Sequence, residues 1–329
     1  MLAGIINKLP KTADPNLLVG MDTMDDAGVY RINDDTALVQ TVDFFYPVVN
    51  DPKSFGRIVA ANSLSDLWAM GARAITAMNL LSYPAGLIPP EAIEQLLIGG
   101  SEKLQEAKVS LVGGHTIEQD SMVYGMSVTG LCNPNQVLTN SKARIGDKII
   151  LTKPIGTGIY SNAHKADGLT AEHYHQFASS MERLNMYAAD AIGGFDISAV
   201  TDVTGFGLLG HSLAMAKNAN VTLCYHTDCI PLFDNILQYM QDFNCVGVCK
   251  CNEYIAGACS YDDNVSPQMQ SLIAEAQTSG GLLIMVKADQ ASDALAAIQA
   301  AGDATAAIIG QVIPLEQGQN NINYLKIKR

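Results

Sequence analysis

The sequence predicts a two-domain α/β protein, and three observations carry that expectation. A chain of 329 residues is long enough for two cores of ordinary size. Apolar β-branched runs of strand length alternate with longer segments of helical periodicity along most of it. A polar, turn-rich stretch from Asn133 to Asp147 separates the two halves and predicts the domain boundary.

Taken in order, residues 1–16 carry Pro10 and Pro15 and one amphipathic turn through Leu2, Ile5, Ile6 and Leu9, the pattern of a leader remnant. Asp22, Asp25 and Asp26 then fall within five residues, just before a strand signal at Gly28–Arg31. Three acids so close either form a solvated turn or share a cation. Thr36–Phe45 is β-branched and mostly apolar, a buried strand with Asp43 at its end. An isolated carboxylate is costly there, so Asp43 calls for a partner, a ligand or water. A helix follows from Ser54 to Met70 and stops at Gly71. Its Ala60, Ala61, Ser63, Ser65 and Ala69 predict close packing, and Asn62 and Asp66 share one face. Trp68 points elsewhere, toward the core.

A strand at Ala74–Leu81 and a helix at Pro90–Ala107 lead to a strand at Val109–Val112 that ends on Gly113-Gly114-His115-Thr116. Two glycines at a strand's carboxyl end expose backbone amides where α/β sheets bind ligands, which makes His115 the histidine best placed to matter. Met122–Leu131 is a further strand. Beyond the boundary, the Lys148–Thr152 strand enters a glycine-rich turn at Lys153–Gly158. This is no Walker loop, since neither Gly-Lys-Ser nor Gly-Lys-Thr follows. Long helices are expected over Ala171–Ile192 and Phe206–Lys217, and a strand at Val221–Tyr225. Val246–Ser266 has no regular pattern. Strands at Leu282–Val286, Ile308–Ile313 and Ile322–Ile327, with an alanine-rich helix at Asp293–Ala301, complete the chain.

The stretch that organises these pieces is Thr201-Asp202-Val203-Thr204-Gly205-Phe206-Gly207-Leu208-Leu209-Gly210-His211. Its glycines admit a ligand near the backbone, and Thr204 is placed to cap a helix whose positive end faces that ligand. A carboxylate at Asp202 beside an anion site makes physical sense with a divalent cation between them; otherwise the stretch is a capped turn with Asp202 exposed. Asp25, Asp26, Asp43, Asp66 and Asp202 all sit at turns, strand ends or near-apolar helix faces. If they converge they must bind cations, and an all-oxygen donor set favours Mg²⁺ completed by substrate phosphates. ATP-dependent phosphoryl transfer is the chemistry this implies.

Composition narrows the alternatives. With 48% hydrophobic and 16% charged residues and no apolar run of spanning length, a soluble, cytoplasmic protein is expected, without a membrane partner. A formal charge of −13 argues against nucleic acid, which needs clustered Lys and Arg. The seven cysteines read as reduced thiols; Cys245, Cys249, Cys251 and Cys259 cluster, but none in Cys-x-x-Cys spacing, so structural zinc is disfavoured.

The strings Asp14-Pro15-Asn16-Leu17-Leu18-Val19-Gly20, Asp25-Asp26-Ala27, Thr41-Val42-Asp43-Phe44-Phe45, Phe55-Gly56-Arg57-Ile58, Asn62–Asp66, Gly113-Gly114-His115, Leu151-Thr152-Lys153-Pro154, Thr201–His211 and Gln277–Leu283 together resemble the selenophosphate synthetase (selenide, water dikinase) family over nearly the whole chain. The resemblance implies an aminoimidazole ribonucleotide synthetase-like fold. An α/β amino-terminal domain at 17–135 would pair through a β-barrel in a homodimer, beside an α+β carboxyl domain at 146–329. It also implies the reaction, in which ATP, selenide and water give selenophosphate, AMP and phosphate. It assigns Mg²⁺ to Asp26, Asp66 and Asp202, and nucleotide contacts to Thr23, Met24, Asp25, Asp43, Asp66, Gly114, His115 and Thr116, some of them donated across the dimer. Met24 replaces the basic residue expected there, which leaves only its backbone to contribute.

One departure is large. Family members carry a glycine-rich segment with a reactive Cys or selenocysteine and an essential Lys upstream of the Asp-Pro-Asn motif, and Met1–Ala13 holds neither, since Lys8 and Lys11 lack that setting. No catalytic residue is therefore assigned within the chain. The expectation is an amino-terminally truncated synthetase, weakly active or inactive alone, testable by sequencing upstream of Met1. Cys249-Lys250-Cys251, where a glycine-rich turn is usual, is a smaller departure. Two alternatives remain: a non-catalytic nucleotide-binding subunit, or another ATP-dependent type of the superfamily, such as the aminoimidazole ribonucleotide synthetases, thiamine-phosphate kinases or hydrogenase-maturation proteins.

Overall fold

The computed structural model describes residues 13–318 and 322–329. The leader remnant expected at 1–16, with Lys8 and Lys11, therefore lies mostly outside the described residues. The first half of the chain forms β1 (Leu17–Val19), β2 (Gly28–Arg31), β3 (Ala37–Phe45), α1 (Pro52–Ala69), β4 (Arg73–Tyr83), α2 (Pro90–Glu106), β5 (Ser110–Glu118) and β6 (Val123–Cys132). Its six strands make one sheet in the order β1-β2-β3-β6-β4-β5. Every pair is antiparallel except β4–β5, whose strands are joined through α2.

Helix α1 starts where local chemistry dictates. Asp51 accepts from Ser54 N at 2.6 Å and Pro52 occupies the first turn, while Gly71 follows the end at φ +70°. The small residues do what their size predicts. A Cβ on Gly56 would lie 1.9 Å from Leu96 O, and one on Gly99 would lie 2.0 Å from Lys53 O, so α1 and α2 cross with their backbones almost in contact. Trp68 is buried, as expected. Both helices cover one face of the sheet, and the side chains of β3 that alternate away from them, Val42 and Phe44, are exposed.

The second half forms β7 (Lys148–Leu151), α3 (Thr157–Lys165), α4 (Ala171–Glu182), α5 (Met186–Ala191), β8 (Ile197–Asp202), α6 (Gly207–Ala219), β9 (Thr222–His226), α7 (Ile236–Tyr239), α8 (Val248–Ile255), β10 (Cys259–Tyr261), α9 (Pro267–Ile273), β11 (Leu282–Val286), α10 (Ala291–Ala300), β12 (Ala307–Ile313), β13 (Glu316–Gln317), β14 (Ile322–Asn323) and β15 (Leu325–Lys328). Seven of these strands form a mixed sheet in the order β10-β15-β9-β12-β7-β11-β8. Its apolar run at β11 is buried throughout because both faces are covered: Leu283 and Met285 pack toward the α6 side, Leu282, Ile284 and Val286 toward α10.

Four local expectations change. The single helix over 171–192 is two, α4 and α5, because Arg183 turns extended (φ −71°, ψ 127°) and sends its guanidinium to Asp303 and Ala301 O, while Asn185 turns inward onto Ser65 Oγ and Gly280 O. Val246–Ser266 contains α8 and β10 instead of being irregular throughout, because burial of Cys251 and Ile255 stabilises α8 against α6. The final strand is interrupted at Tyr324. Thr204 does not cap α6 with its side chain. Its carbonyl accepts from Gly207 N at 2.9 Å, and its amide and hydroxyl meet His211 Nε2 at 3.2 and 3.3 Å instead.

Gly207 has a conformational reason to be glycine: φ is +67° and a Cβ would lie 2.4 Å from Glu275 O. Gly207→Ala is expected to cost roughly 2 kcal/mol, from strain plus contact, read as a lower urea midpoint at unchanged m-value.

Candidate active site

The two sheets meet along a cleft of about 690 Å³. The amino-terminal half contributes the 24–26 turn, the end of β3 and the polar face of α1; the carboxyl-terminal half contributes the end of β8, the start of α6 and the Ala276–Thr278 loop. Period-2 alternation puts Thr41 and Asp43 on the same face of β3, toward α1. There Thr41 Oγ1 donates to Asp66 Oδ2 at 2.5 Å and Asn62 Nδ2 donates to Asp43. Asp26 reaches across the seam, and its Oδ1 accepts from Thr201 Oγ1 at 2.7 Å. Asp202, at the end of β8, is 1% exposed.

All five acids expected to converge therefore line this one cleft, Asp25 at its wall. Their electrostatics are those of a site short of positive charge. Burial, and then the charge of Asp202, pushes Asp26 and Asp66 well above the usual carboxylate range; burial pushes Asp202 up to about 6 and raises Asp43. Asp26 Oδ2 and Asp202 Oδ2 are buried without a hydrogen-bond partner. A buried carboxylate oxygen left unpaired is costly, and a cation between the two removes that cost. Ligand atoms of Asp26, Asp202 and His211 all lie within 4.8 Å of one another. The donor set thus fits a hard divalent ion, with carboxylate oxygens predominating.

Not every residue singled out from the sequence reaches the cleft. Met24 and Asp25 line it, but Thr23 does not; it donates to Asp25 within the turn. Gly114, His115 and Thr116 lie elsewhere. The strand expected to end at Val112 runs on to Glu118, pairing Gly114, His115 and Thr116 with Asn79, Leu80 and Leu81 of β4. Gly113, at φ +144°, sits at the shift in register that lets pairing continue. His115 faces a separate apolar hollow with Phe44, Leu80 and Ile117.

Several residues at or behind the site were missed. His211 belongs to the organising stretch, yet nothing in its spacing from Asp202 says that the first turns of α6 bring it back beside that carboxylate. Its Nε2 accepts from Thr204 N, and burial pushes its pKa down to about 4, so the ring is neutral. Lys153, given no role from the sequence beyond its place in a turn and in a family string, is buried and donates to Arg183 O at 2.7 Å and Ser279 O at 3.1 Å; burial pushes it down to about 7. It braces the loop whose Ser279 N donates to Asn62 Oδ1. Thr41 had a legible signal, its alternation with Asp43; Thr201 had none.

Residues 24–132 match the family described as AIR synthase related protein, N-terminal domain, and residues 144–319 match AIR synthase related protein, C-terminal domain. The two-domain fold is accordingly of the AIR synthase type. Among solved structures, AaThiL complexed with AMPPCP and TMP superposes with a TM-score of 0.72 at 15% identity, over 98% of this chain and 92% of that one. The hydrogenase maturation protein HypE in complex with ATP superposes with a TM-score of 0.66 at 17% identity, over 92% and 83%. These likenesses concern the fold. Sequence relatives are much nearer. Selenide, water dikinase from Clostridioides difficile (strain 630) is 41% identical over 99% of this chain and 93% of its own length, and that of Desulfitobacterium hafniense (strain DSM 10664 / DCB-2) is 44% identical over 95% and 91%. Identity of that order along nearly the full length of both partners, on an AIR synthase fold whose acids gather in one cleft, means that the chain belongs to the selenide, water dikinase family.

Proposed function

We propose that this chain is a selenophosphate synthetase, converting ATP, selenide and water to selenophosphate, AMP and phosphate, with Mg²⁺ held by Asp26, Asp66 and Asp202. The observation that carries the metal assignment is the pair of unpaired buried oxygens, Asp26 Oδ2 from the turn before β2 and Asp202 Oδ2 from the end of β8, contributed by opposite halves to one cleft. Mg²⁺ there supplies neutralisation of the triphosphate and polarisation of the transferred phosphoryl group. The chain's own residues do the positioning. Thr41 and Thr201 orient Asp66 and Asp26 through their hydroxyls, and Asn62 orients Asp43. Thr204, Gly205 and Phe206 bring the positive end of α6 to the cleft wall, where it favours an anionic substrate. Met24, Asp25, Asp43 and Asp66 would contact the nucleotide.

The test is product analysis by ³¹P NMR. Selenide-dependent formation of AMP and a selenium-coupled phosphorus signal supports the reading. Mg·ATP binding with no selenide-dependent turnover identifies a nucleotide-binding subunit instead.

A homodimer belongs to the same proposal. Val42, Phe44, Met78, Leu111 and Ile117 expose an apolar surface on the amino-terminal sheet, and β5 is exposed along its whole length. Pairing of two such sheets into a barrel covers that surface, and Gly114, His115 and Thr116 would then serve the partner's nucleotide. Phe44→Asp is expected to shift the protein from dimer to monomer in light scattering; an unchanged dimer mass would place the interface elsewhere. A cytoplasmic location fits the reduced thiols, and no helix among the described residues is long and apolar enough to cross a membrane.

A further inference from the structure

The turn that presents Asp25 and Asp26 to the cleft is held from outside its own sheet. Met24 adopts φ +52°, a left-handed conformation that a non-glycine side chain resists and that its surroundings must enforce. The enforcing groups are two amides. Asn140, 2% exposed in the link between β6 and β7, donates from Nδ2 to Met24 O at 2.9 Å and Thr23 O at 3.3 Å, and its backbone N–H donates to Asp25 Oδ1 at 2.7 Å. Asn218, in the last turn of α6, donates from Nδ2 to Thr23 O at 2.6 Å and to Asn140 Oδ1 at 2.9 Å.

The origin of these two side chains matters. Helix α6 borders the cleft with Gly210 and His211 near one end and grips the 23–26 turn with Asn218 at the other. One rigid element thus fixes the Asp202–His211 side of the site and the placement of the opposing turn. Asn140 supplies the complementary grip from the link between sheets. Its amide is fully used, with its donors on two carbonyls and its oxygen receiving Asn218. Only an amide offers donor and acceptor in that arrangement; a carboxylate of the same shape would meet two carbonyl oxygens without a proton to give.

We propose that Asn140 and Asn218 are positioning residues, a latch that fastens the 23–26 turn of the amino-terminal sheet to the carboxyl-terminal half and so sets the approach of Asp26 to Asp202 on which cation binding depends. This rests on the metal site of the proposed function. The latch acts at a distance from the ion: neither amide lines the cleft, and both act through the backbone that carries Asp25 and Asp26.

The experiment uses the full chain with Asn218→Asp and Asn140→Asp. Mg²⁺ affinity is measured by calorimetry in the presence of a non-hydrolysable ATP analogue, and melting temperature is measured in EDTA. Asn218 is exposed, so its variant keeps the fold even if the buried Asn140 variant does not. The expected result for Asn218→Asp is a Kd for Mg²⁺ raised about tenfold, equivalent to ~1.4 kcal/mol, with the melting temperature in EDTA nearly unchanged. The Mg²⁺ concentration for half-maximal turnover should rise in step while the rate at saturating Mg²⁺ is retained, which a merely structural lesion would not produce. A folded Asn218→Asp protein with unaltered Mg²⁺ affinity overturns the latch alone, as does a loss of melting temperature without a change in affinity. Failure of the unsubstituted protein to bind Mg²⁺ with the analogue overturns the metal site, and the latch with it.

Discussion

Replacing Asp202 with asparagine should abolish Mg²⁺-dependent nucleotide binding and yet raise the melting temperature of the metal-free protein at pH 7.5. Asp202 is buried, one of its oxygens has no partner, and burial pushes its pKa up to about 6. Its folded pKa lies above the unfolded value of about 3.9, so between the two the native state holds the proton that the unfolded state has lost. Stability from this group is therefore present at low pH and declines as pH rises through about 4 to 6. Asp26 and Asp66, also raised, add to that decline in the same direction. In EDTA the protein should melt higher at pH 5 than at pH 7.5, and Mg²⁺ should flatten the difference, since a ligand at a hundred times its Kd stabilises the native state by about 2.7 kcal/mol. Asparagine removes the charge and its share of the pH dependence, together with a ligand oxygen. Asp66→Ala should likewise abolish Mg·ATP binding with the fold intact. Unchanged nucleotide affinity in either variant, measured calorimetrically, would remove these carboxylates from the site.

Gly56→Ala should be the most destabilising single-methyl addition in the amino-terminal half. Its Cβ would stand 1.9 Å from Leu96 O and 2.9 Å from Gly100 N, both backbone atoms of α2 that cannot rotate away. The two helices would have to separate, undoing packing along their crossing, at a cost of at least ~3 kcal/mol. The same displacement would move α1, and with it Asn62 and Asp66, so nucleotide affinity should fall in whatever folded protein remains. A urea midpoint within error of the parent would show that the helices part more easily than this contact implies.

Much of the site was legible because its acids stand where acids are out of place. Asp43 ends an apolar strand, Asp66 shares a helix face with Asn62, and Asp202 precedes a glycine-rich helix start; each anomaly is local and survives in one dimension. The strands flanked by glycine or proline were legible for the same reason, as at Gly28–Arg31 and Leu282–Val286. Gly113-Gly114 misled for a physical cause. Two glycines signal a strand end by composition, but parallel pairing with β4 across a register shift keeps the backbone extended through them. The helix expected over 171–192 failed comparably, since its periodicity continues through Arg183 while a salt bridge to Asp303, 120 residues away, turns the chain there.

The sequence by itself determined the two-domain α/β class, the identity of the acids and the family, because these follow from residue type, short-range period and shared motifs. Only the tertiary structure decided that Asp26 hangs on Thr201 of the other sheet, that His211 returns beside Asp202, and that Asn140 and Asn218 grip the turn between them. The Asp26–Thr201 contact joins residues 175 positions apart across the seam between the halves, and it is the packing of α4, α5 and β8 against α1, not any local preference, that brings them within hydrogen-bonding reach.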